Sequence, residues 1–515
     1  MSVRNDRSRF VTSNGQAAAP SDRCGILGLA WRSSLCCALF LWAALGLVLS
    51  TPETSTRPFL VAVGAVAMWR YGWMGLNLLR ALIYLKLVFP RVAARSRHDI
   101  NLPQVSHVYA VVASYDVEEP VFRSVYRALI ENLLAIGRPA TIIAAITSDR
   151  DCAVLAELAA RLDGAQAITI CAQFQCGGGK RPALGQALRH IRRDMPPADA
   201  LTIFLDGDVV LEPEALVRSF PFLQHDRRLI AVTTNNDAVV ETRGAAQQWY
   251  PLRFAQRHLA MSSLALSRRL LVLTGRFSIY RTEATLKDSF IAAIEQDSMD
   301  HWLYGRIPFL SGDDKSMWFD LVRQRSDMLY IADVMAVSHE RMPTDNGFLV
   351  GSTRLMHRWF GNMLRANAKA LRLGPQRCGW FLWITLLDQR ASMWTTLLGP
   401  ASAVLIAVLV SPVYLVCYVC WVLMTRLVAS LIQGAVWGRF HPAWPFLMVY
   451  GQLWGAVLKT YLLFHLDSQS WTRQRITARG TQGAARLAAS TLHVLSLVTL
   501  IAVTALTLTK HGDLF

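Results

Sequence analysis

Two textures alternate along the chain. Apolar runs fall at about Leu35–Ser50 and Phe59–Leu79, and again at Trp394–Val410, Val413–Ile432 and Leu487–Leu508. A helix needs roughly 20 apolar residues to cross a bilayer, so each run is read as a membrane span. Residues 100–345 differ: short β-branched runs at His107–Ala113, Thr141–Ile146, Ala167–Ile170, Leu201–Leu205 and Leu229–Thr233 alternate with helical segments. That alternation predicts an α/β domain with a largely parallel sheet, whose ligands gather at the carboxyl ends of the strands.

The other segments complete the plan. Residues 1–30 are polar and expected to be disordered, 31–85 carry two spans, and 393–434 carry two more. Residues 346–392 mix Arg, Trp and Leu at helical spacing, the composition of amphipathic helices in the membrane interface. Residues 443–486 read as a further interfacial helix followed by a polar loop, and 487–508 as the last span. Lys86, Arg91, Arg95 and Arg97 follow the second span, whereas the turn before it carries only Arg57. The positive-inside rule therefore places the tail and everything after residue 86 in the cytosol. A crossing by Ala443–Leu466 would put Arg473, Arg475, Arg479 and Arg486 outside, so five crossings are expected. Arg70, between Trp69 and Tyr71 inside the second run, is a candidate channel residue, because a charge at that depth usually faces a polar path or another polar group; snorkelling to the interface is the alternative.

Composition narrows the function classes. The 515 residues are 53% hydrophobic and only 17% charged, with a net charge of +17. So few charges fit a chain with lipid-facing surface. The basic excess comes with no helix-turn-helix, zinc-finger or RNA-binding signature, and is assigned to lipid headgroups and topology rather than nucleic acid. Among nine cysteines, Cys36, Cys37, Cys417 and Cys420 lie in apolar runs, so Cys417-x-x-Cys420 reads as membrane packing rather than a metal or redox site.

Four motifs could carry chemistry. Asp206-Gly207-Asp208 directly follows the strand Leu201–Leu205, where paired carboxylates can hold a divalent cation against a diphosphate. Gly312-Asp313-Asp314-Lys315 supplies acids for a general base. Gly177-Gly178-Gly179-Lys180-Arg181 puts two cations after flexible backbone, suited to phosphate or a sugar carboxylate, without the spacing of a P-loop. Arg358-Trp359 offers a cation and a flat face for a sugar ring. Each has an ordinary alternative: a solvated turn, a helix N-terminus, a basic loop, an interfacial aromatic. Their order along the chain carries the weight.

In that order the motifs resemble the processive family-2 glycosyltransferases, the class of cellulose, chitin and hyaluronan synthases, over roughly residues 35–510. The resemblance implies a GT-A-type domain inserted between transmembrane helices of a bacterial inner-membrane protein, with Mg²⁺ or Mn²⁺ as cofactor. It implies that Asp116, Asp149 and Asp206 bind the nucleotide, Asp208 the metal, and Lys180, Arg181 and Arg358 the diphosphate. Asp314 matches the catalytic base, with Asp313 beside it, and Arg276 in Thr274-Gly275-Arg276-Phe277 falls in the loop that meets the acceptor; Trp318 and Trp359 are candidates for stacking on the acceptor sugar. Trp471 and Arg473 lie in a segment similar to the gating loop over the nucleotide. The family's QxxRW motif departs here, with Leu355 in place of the glutamine.

Within the family, Ser311–Phe319, Arg358–Arg365, Asp388–Trp394 and Asp467–Gln474 are most similar to the alginate-polymerising mannuronan synthases. This implies GDP-mannuronate as donor and β-1,4-polymannuronate as product; a β-glucan-like polymer from a UDP-sugar is the alternative. It also implies a periplasmic export complex and a separate PilZ-type subunit that binds cyclic di-GMP. Arg475–Arg479 matches only half of a PilZ signature, with no room for the rest before the last span.

Overall fold

The computed structural model describes residues 57–99, 101–164, 167–175, 179–471, 476–477 and 483–509. The expected tail and first span, Leu35–Ser50, lie outside them. The second apolar run forms helix α1 (Arg57–Ile83), which continues through a π-helical turn into a basic helix ending at Arg97. The sheet begins with β1 (Val108–Ala113), β2 (Ala140–Ile146) and β3 (Ile168–Phe174), and α2 (Lys180–Arg193) leads to β4 (Leu201–Asp206). These four strands are parallel, in the order β3-β2-β1-β4. Every residue of β2 is buried, as a central strand covered on both faces requires.

The second half of the sheet comprises β5 (Val209–Leu211), β6 (Leu229–Val240), β7 (Phe277–Arg281) and β10 (Asp327–Glu340), in the order β7-β6-β10-β5. Helix α3 (Ala246–Ala265) joins β6 to β7, and the hairpin β8 (Ser298–His301) and β9 (Gly305–Pro308) precedes α4 (Asp313–Arg323). The sheet is mixed where a largely parallel one was expected. β7 runs antiparallel to β4 and β6, and β5 antiparallel to β10. The cause is where the chain re-enters. Asp206 N donates to Arg276 O at 3.3 Å, and Phe277 pairs with Leu205 at the carboxyl end of β4. A strand that starts where its neighbour ends must run backwards. This inversion carries Thr274–Arg276 to the ligand edge.

The helical part follows as α5 (Phe348–Arg372), α6 (Trp380–Leu409), α7 (Val413–Trp437), α8 (Trp444–Phe464) and α9 (Ala484–Thr509). Among the described residues, four stretches are long and apolar enough to cross a membrane: Val66–Arg97, Trp380–Leu409, Val413–Trp437 and Ala484–Ala505. The segment Trp444–Phe464 is not one of them. The division expected between residues 392 and 393 falls inside α6, which runs unbroken for 30 residues. Arg70 has a polar partner, its Nη1 lying 3.1 Å from Asp388 Oδ1 on α6.

Two apolar cores hold these parts together. One lies under the sheet and includes Val111, Ile143, Ile203, Phe222 and Leu321. The other joins Trp249 and Tyr250 of α3 to Met356 and Phe360 of α5, Trp437 of α7 and Trp444 of α8. Aromatic rings bury roughly 150–250 Å² each, so this second core fixes the α/β domain firmly against the helices.

Candidate active site

A cleft of ≈ 440 Å³ opens at the carboxyl edge of the sheet, a size suited to a small-molecule ligand. Strand β4 ends in Asp206, and the turn to β5 carries Gly207 and Asp208. A Cβ on Gly207 would meet Ser114 Oγ at 2.3 Å and Ser114 Cα at 2.6 Å, so only glycine lets this turn lie on the end of β1. The Asp208 carbonyl accepts from His339 N at 2.8 Å, which ties the turn to β10. Both carboxylates line the cleft.

The second acidic motif opens α4. Gly312 has φ 85°, and a Cβ there would lie 3.0–3.2 Å from Asn362 side-chain atoms, so the turn needs glycine twice over. Asp313 and Asp314 occupy the first helical turn, where the helix dipole favours negative charge. Lys180, the first residue of α2, joins the two motifs: its Nζ lies 2.6 Å from Asp206 Oδ1 and 2.8 Å from Asp313 Oδ2. Burial opposes the charge on Lys180, but the two carboxylates outweigh it and raise its pKa. Burial likewise works against ionised Asp313, yet Lys180 and Arg181 hold its pKa below the ordinary value. At Asp314 burial and then the Asp313 charge push the pKa up. The pair is thus split electrostatically, with Asp314 the stronger base.

Residues 103–362 match the family described as Glycosyltransferase like family 2. Two proteins named Glycosyltransferase alg8 are each 36% identical to the chain. The one from Pseudomonas syringae pv. tomato aligns over 437 residues, 85% of this chain and 88% of its own; the one from Azotobacter vinelandii aligns over 432 residues, 82% and 85%.

The chain is a member of this Alg8-like group of family-2 membrane glycosyltransferases. Its sheet is the GT-A type expected.

The glycosyltransferase places its other sequence-predicted residues unevenly. Arg276, Arg358 and Trp359 line the cleft with the acids. Arg276 donates to Glu340 Oε1 at 2.6 Å, and Trp359 stacks on Trp249 with centroids 5.6 Å apart. Asp116 and Asp149 are exposed just beyond the ends of β1 and β2, and Asp116 takes a left-handed backbone, φ 46°. The backbone of Trp471 forms a two-residue ladder with Ile476–Thr477, and Arg473 lies outside the described residues.

Two expectations are corrected. Arg181 is buried and faces away from the cleft, donating to Ile294 O at 2.7 Å and to Ser311 O and Ser316 Oγ at 3.0 Å each. It braces the turn that presents Asp313 and Asp314. Trp318 belongs to the core under the sheet, its Nε1 donating to Leu270 O at 2.6 Å. It has no exposed face for a sugar. Accordingly, Trp318→Phe is expected to keep polymer formation within about twofold, whereas Trp359→Ala lowers it about tenfold or more, a loss of one aromatic contact in the transition state. Radiolabel incorporation into polymer checks both.

Several cleft residues escaped the sequence reading. Tyr250, Arg253 and Arg257 project from α3, and Lys315 and Glu340 complete the walls. Trp249, Arg253 and Arg257 recur every four residues on α3, a one-face signal visible in the sequence. Burial lowers Arg253 to about 10 and Lys315 to about 8. Gln469, just before Trp471, ties its segment to the strand ahead of the Asp313 turn: its Oε1 accepts from Leu310 N at 3.0 Å and its Nε2 donates to Pro308 O at 2.7 Å.

Among the described residues there is no cluster of three or more His, Cys, Asp or Glu able to hold a metal by itself. One or two carboxylates suffice for Mg²⁺ when substrate phosphates supply the remaining oxygens. Asp208, in the cleft and outside the Lys180 bridge, fits that arrangement.

Proposed function

We propose that this glycosyltransferase is processive and inverting, and that it polymerises mannuronate from GDP-mannuronate into β-1,4-polymannuronate. The single observation that supports this reading most is the cleft's lining, which combines paired acids with several cations and an indole. Asp206, Asp208, Asp313, Asp314 and Lys180 line one cleft together with Arg253 and Arg257 of α3 and Trp359. The acids and Lys180 suit a nucleotide diphosphate and proton transfer. The α3 arginines and the Trp359 indole suit a sugar ring that carries its own negative charge. Relatedness to the two alg8 proteins supports the same reading.

The chemistry is a single displacement. The acceptor hydroxyl gives its proton to Asp314 as its oxygen bonds to the anomeric carbon and the carbon–phosphate oxygen bond breaks. A divalent cation held by Asp208 and the diphosphate would supply positive charge against the departing phosphates. Arg358 lies in the same cleft to assist that charge. Trp359, braced by Trp249, supports the acceptor ring, so the chain end stays seated between additions. The catalytic domain faces the cytosol of a bacterial inner membrane, and the product passes outward among the helices. A PilZ-type subunit that binds cyclic di-GMP and a periplasmic export complex act with it.

Product inhibition tests the nucleotide assignment. GDP is expected to compete with the donor at least tenfold better than UDP, and chelation by EDTA to stop incorporation until Mg²⁺ or Mn²⁺ is returned. Stronger competition by UDP moves the enzyme to a UDP-sugar and rejects the donor named above.

A further inference from the structure

Positive charge does not stop at the cleft. Arg253 Cζ lies 4.8 Å from the Trp359 ring centre and 6.0 Å from that of Phe360. Lys459 of α8 approaches the same Phe360 ring, its Nζ 4.6 Å from the centre. The charges that act most strongly on Lys459 are those of Arg253 and Arg70, both cations. Arg70 is the central residue of the 27-residue α1. It in turn acts on Arg426, beside the midpoint of the 25-residue α7. Helices α1 and α7 meet there through polar groups: Tyr71 Oη donates to Thr425 Oγ1 at 3.4 Å, and Trp421 Nε1 donates to Tyr71 Oη at 3.1 Å. Helix α3, which carries Arg253 of the cleft, packs against α1, α7 and α8, the helices that carry Arg70, Arg426 and Lys459.

Little opposes these charges. In α1, α6, α7, α8 and α9 the single acidic residue is Asp388, which pairs with Arg70. Among the described residues, Arg253, Lys459 and Arg426 make no ion pair, and Arg426 Nε is buried without a hydrogen-bond partner. Cations set midway along apolar helices are costly unless they face a polar path, and like charges in a row repel unless an anion comes between them. Topology does not account for them, since the positive-inside bias acts at helix ends.

We propose that Arg253, Lys459, Arg70 and Arg426 form a track that binds the carboxylates of an anionic polysaccharide as it leaves the cleft and enters the membrane helices. The track rests on the uronate reading above. It adds residues that act on the product after bond formation, with the charge on each sugar as the feature recognised. Asp388 keeps Arg70 in place between successive carboxylates and supplies the one point of opposite charge along the track.

The test uses the full chain in inverted membrane vesicles with its partners, supplied with labelled GDP-mannuronate. Polymer retained inside the vesicles and protected from an added uronate lyase is read as a fraction of all polymer formed. Lys459→Met preserves the packing on Phe360, and Arg426→Met and Arg426→Lys are compared at the second position. The protected fraction is expected to fall about tenfold in the Met double variant and to recover at least half its value with Arg426→Lys. Wild-type protection in the double variant overturns the track and leaves the donor assignment standing. Equal loss with Arg426→Lys and Arg426→Met overturns a role for charge. Polymer formed only from a neutral donor overturns the donor assignment and the track together.

Discussion

Asp314→Asn is expected to lower polymer formation about 1,000-fold or more, within the range found for removal of a general base, while GDP binding stays within about threefold. The substitution keeps shape and removes the one oxygen able to take the acceptor proton. Asp313 cannot replace it, because Lys180 lies 2.8 Å from its Oδ2 and holds its pKa down. The pH profile carries the same signature. Burial and the Asp313 charge raise the Asp314 pKa, so this carboxylate stays protonated at a pH where an ordinary aspartate has ionised. A base works only when ionised. The rate should therefore rise with unit slope as pH increases through the raised pKa and level off above it. The residual activity of Asp314→Asn should lack that acid limb. Near-normal polymer formation by the variant would remove Asp314 from the mechanism.

Arg181→Met is the second large effect, and it separates a brace from a ligand. The guanidinium satisfies the carbonyls of Ile294 and Ser311 and the hydroxyl of Ser316. Its loss leaves buried acceptors unpaired, at a cost of about 3 kcal/mol, and frees the turn that aims Asp313 and Asp314. Thermal unfolding of the purified protein should shift downward and turnover should fall about 100-fold, since small displacements at the reacting centre cost that much. Arg181→Lys should rescue only in part, because an ammonium lacks the planar fork that reaches three acceptors. An unchanged unfolding temperature with a raised donor KM would instead make Arg181 a nucleotide ligand, as its place after the glycine run suggested.

What the sequence made legible was local. Asp206 and Asp208 stand out because an apolar strand runs straight into them, and Asp313 and Asp314 because a glycine and an N-terminal helical turn surround them. The parallel half of the sheet was legible for the same reason, as each β-branched run is followed by its helix. The inverted strand was not, because the direction of β7 is set by where Thr274–Arg276 docks, which strand composition does not encode. Arg181 misled because its role depends on partners 113, 130 and 135 residues away. Trp318 misled because it lies one turn beyond Asp314 and Lys315 on the same face of α4, where that face has passed from the cleft into the core. Arg253 and Lys459 escaped notice because each sits among apolar residues on its own helix, and only the packing of α3, α5 and α8 brings both to Phe360.

The most direct measurement is the product itself. Membranes carrying the full chain and a PilZ-type partner, with Mg²⁺ and cyclic di-GMP, are given labelled GDP-mannuronate in one reaction and labelled UDP-glucose in another. Label from GDP-mannuronate alone, in a polymer that a mannuronate-specific lyase degrades completely, is the result predicted. A lyase-resistant polymer built from UDP-glucose, or no polymer from GDP-mannuronate under these conditions, would contradict it.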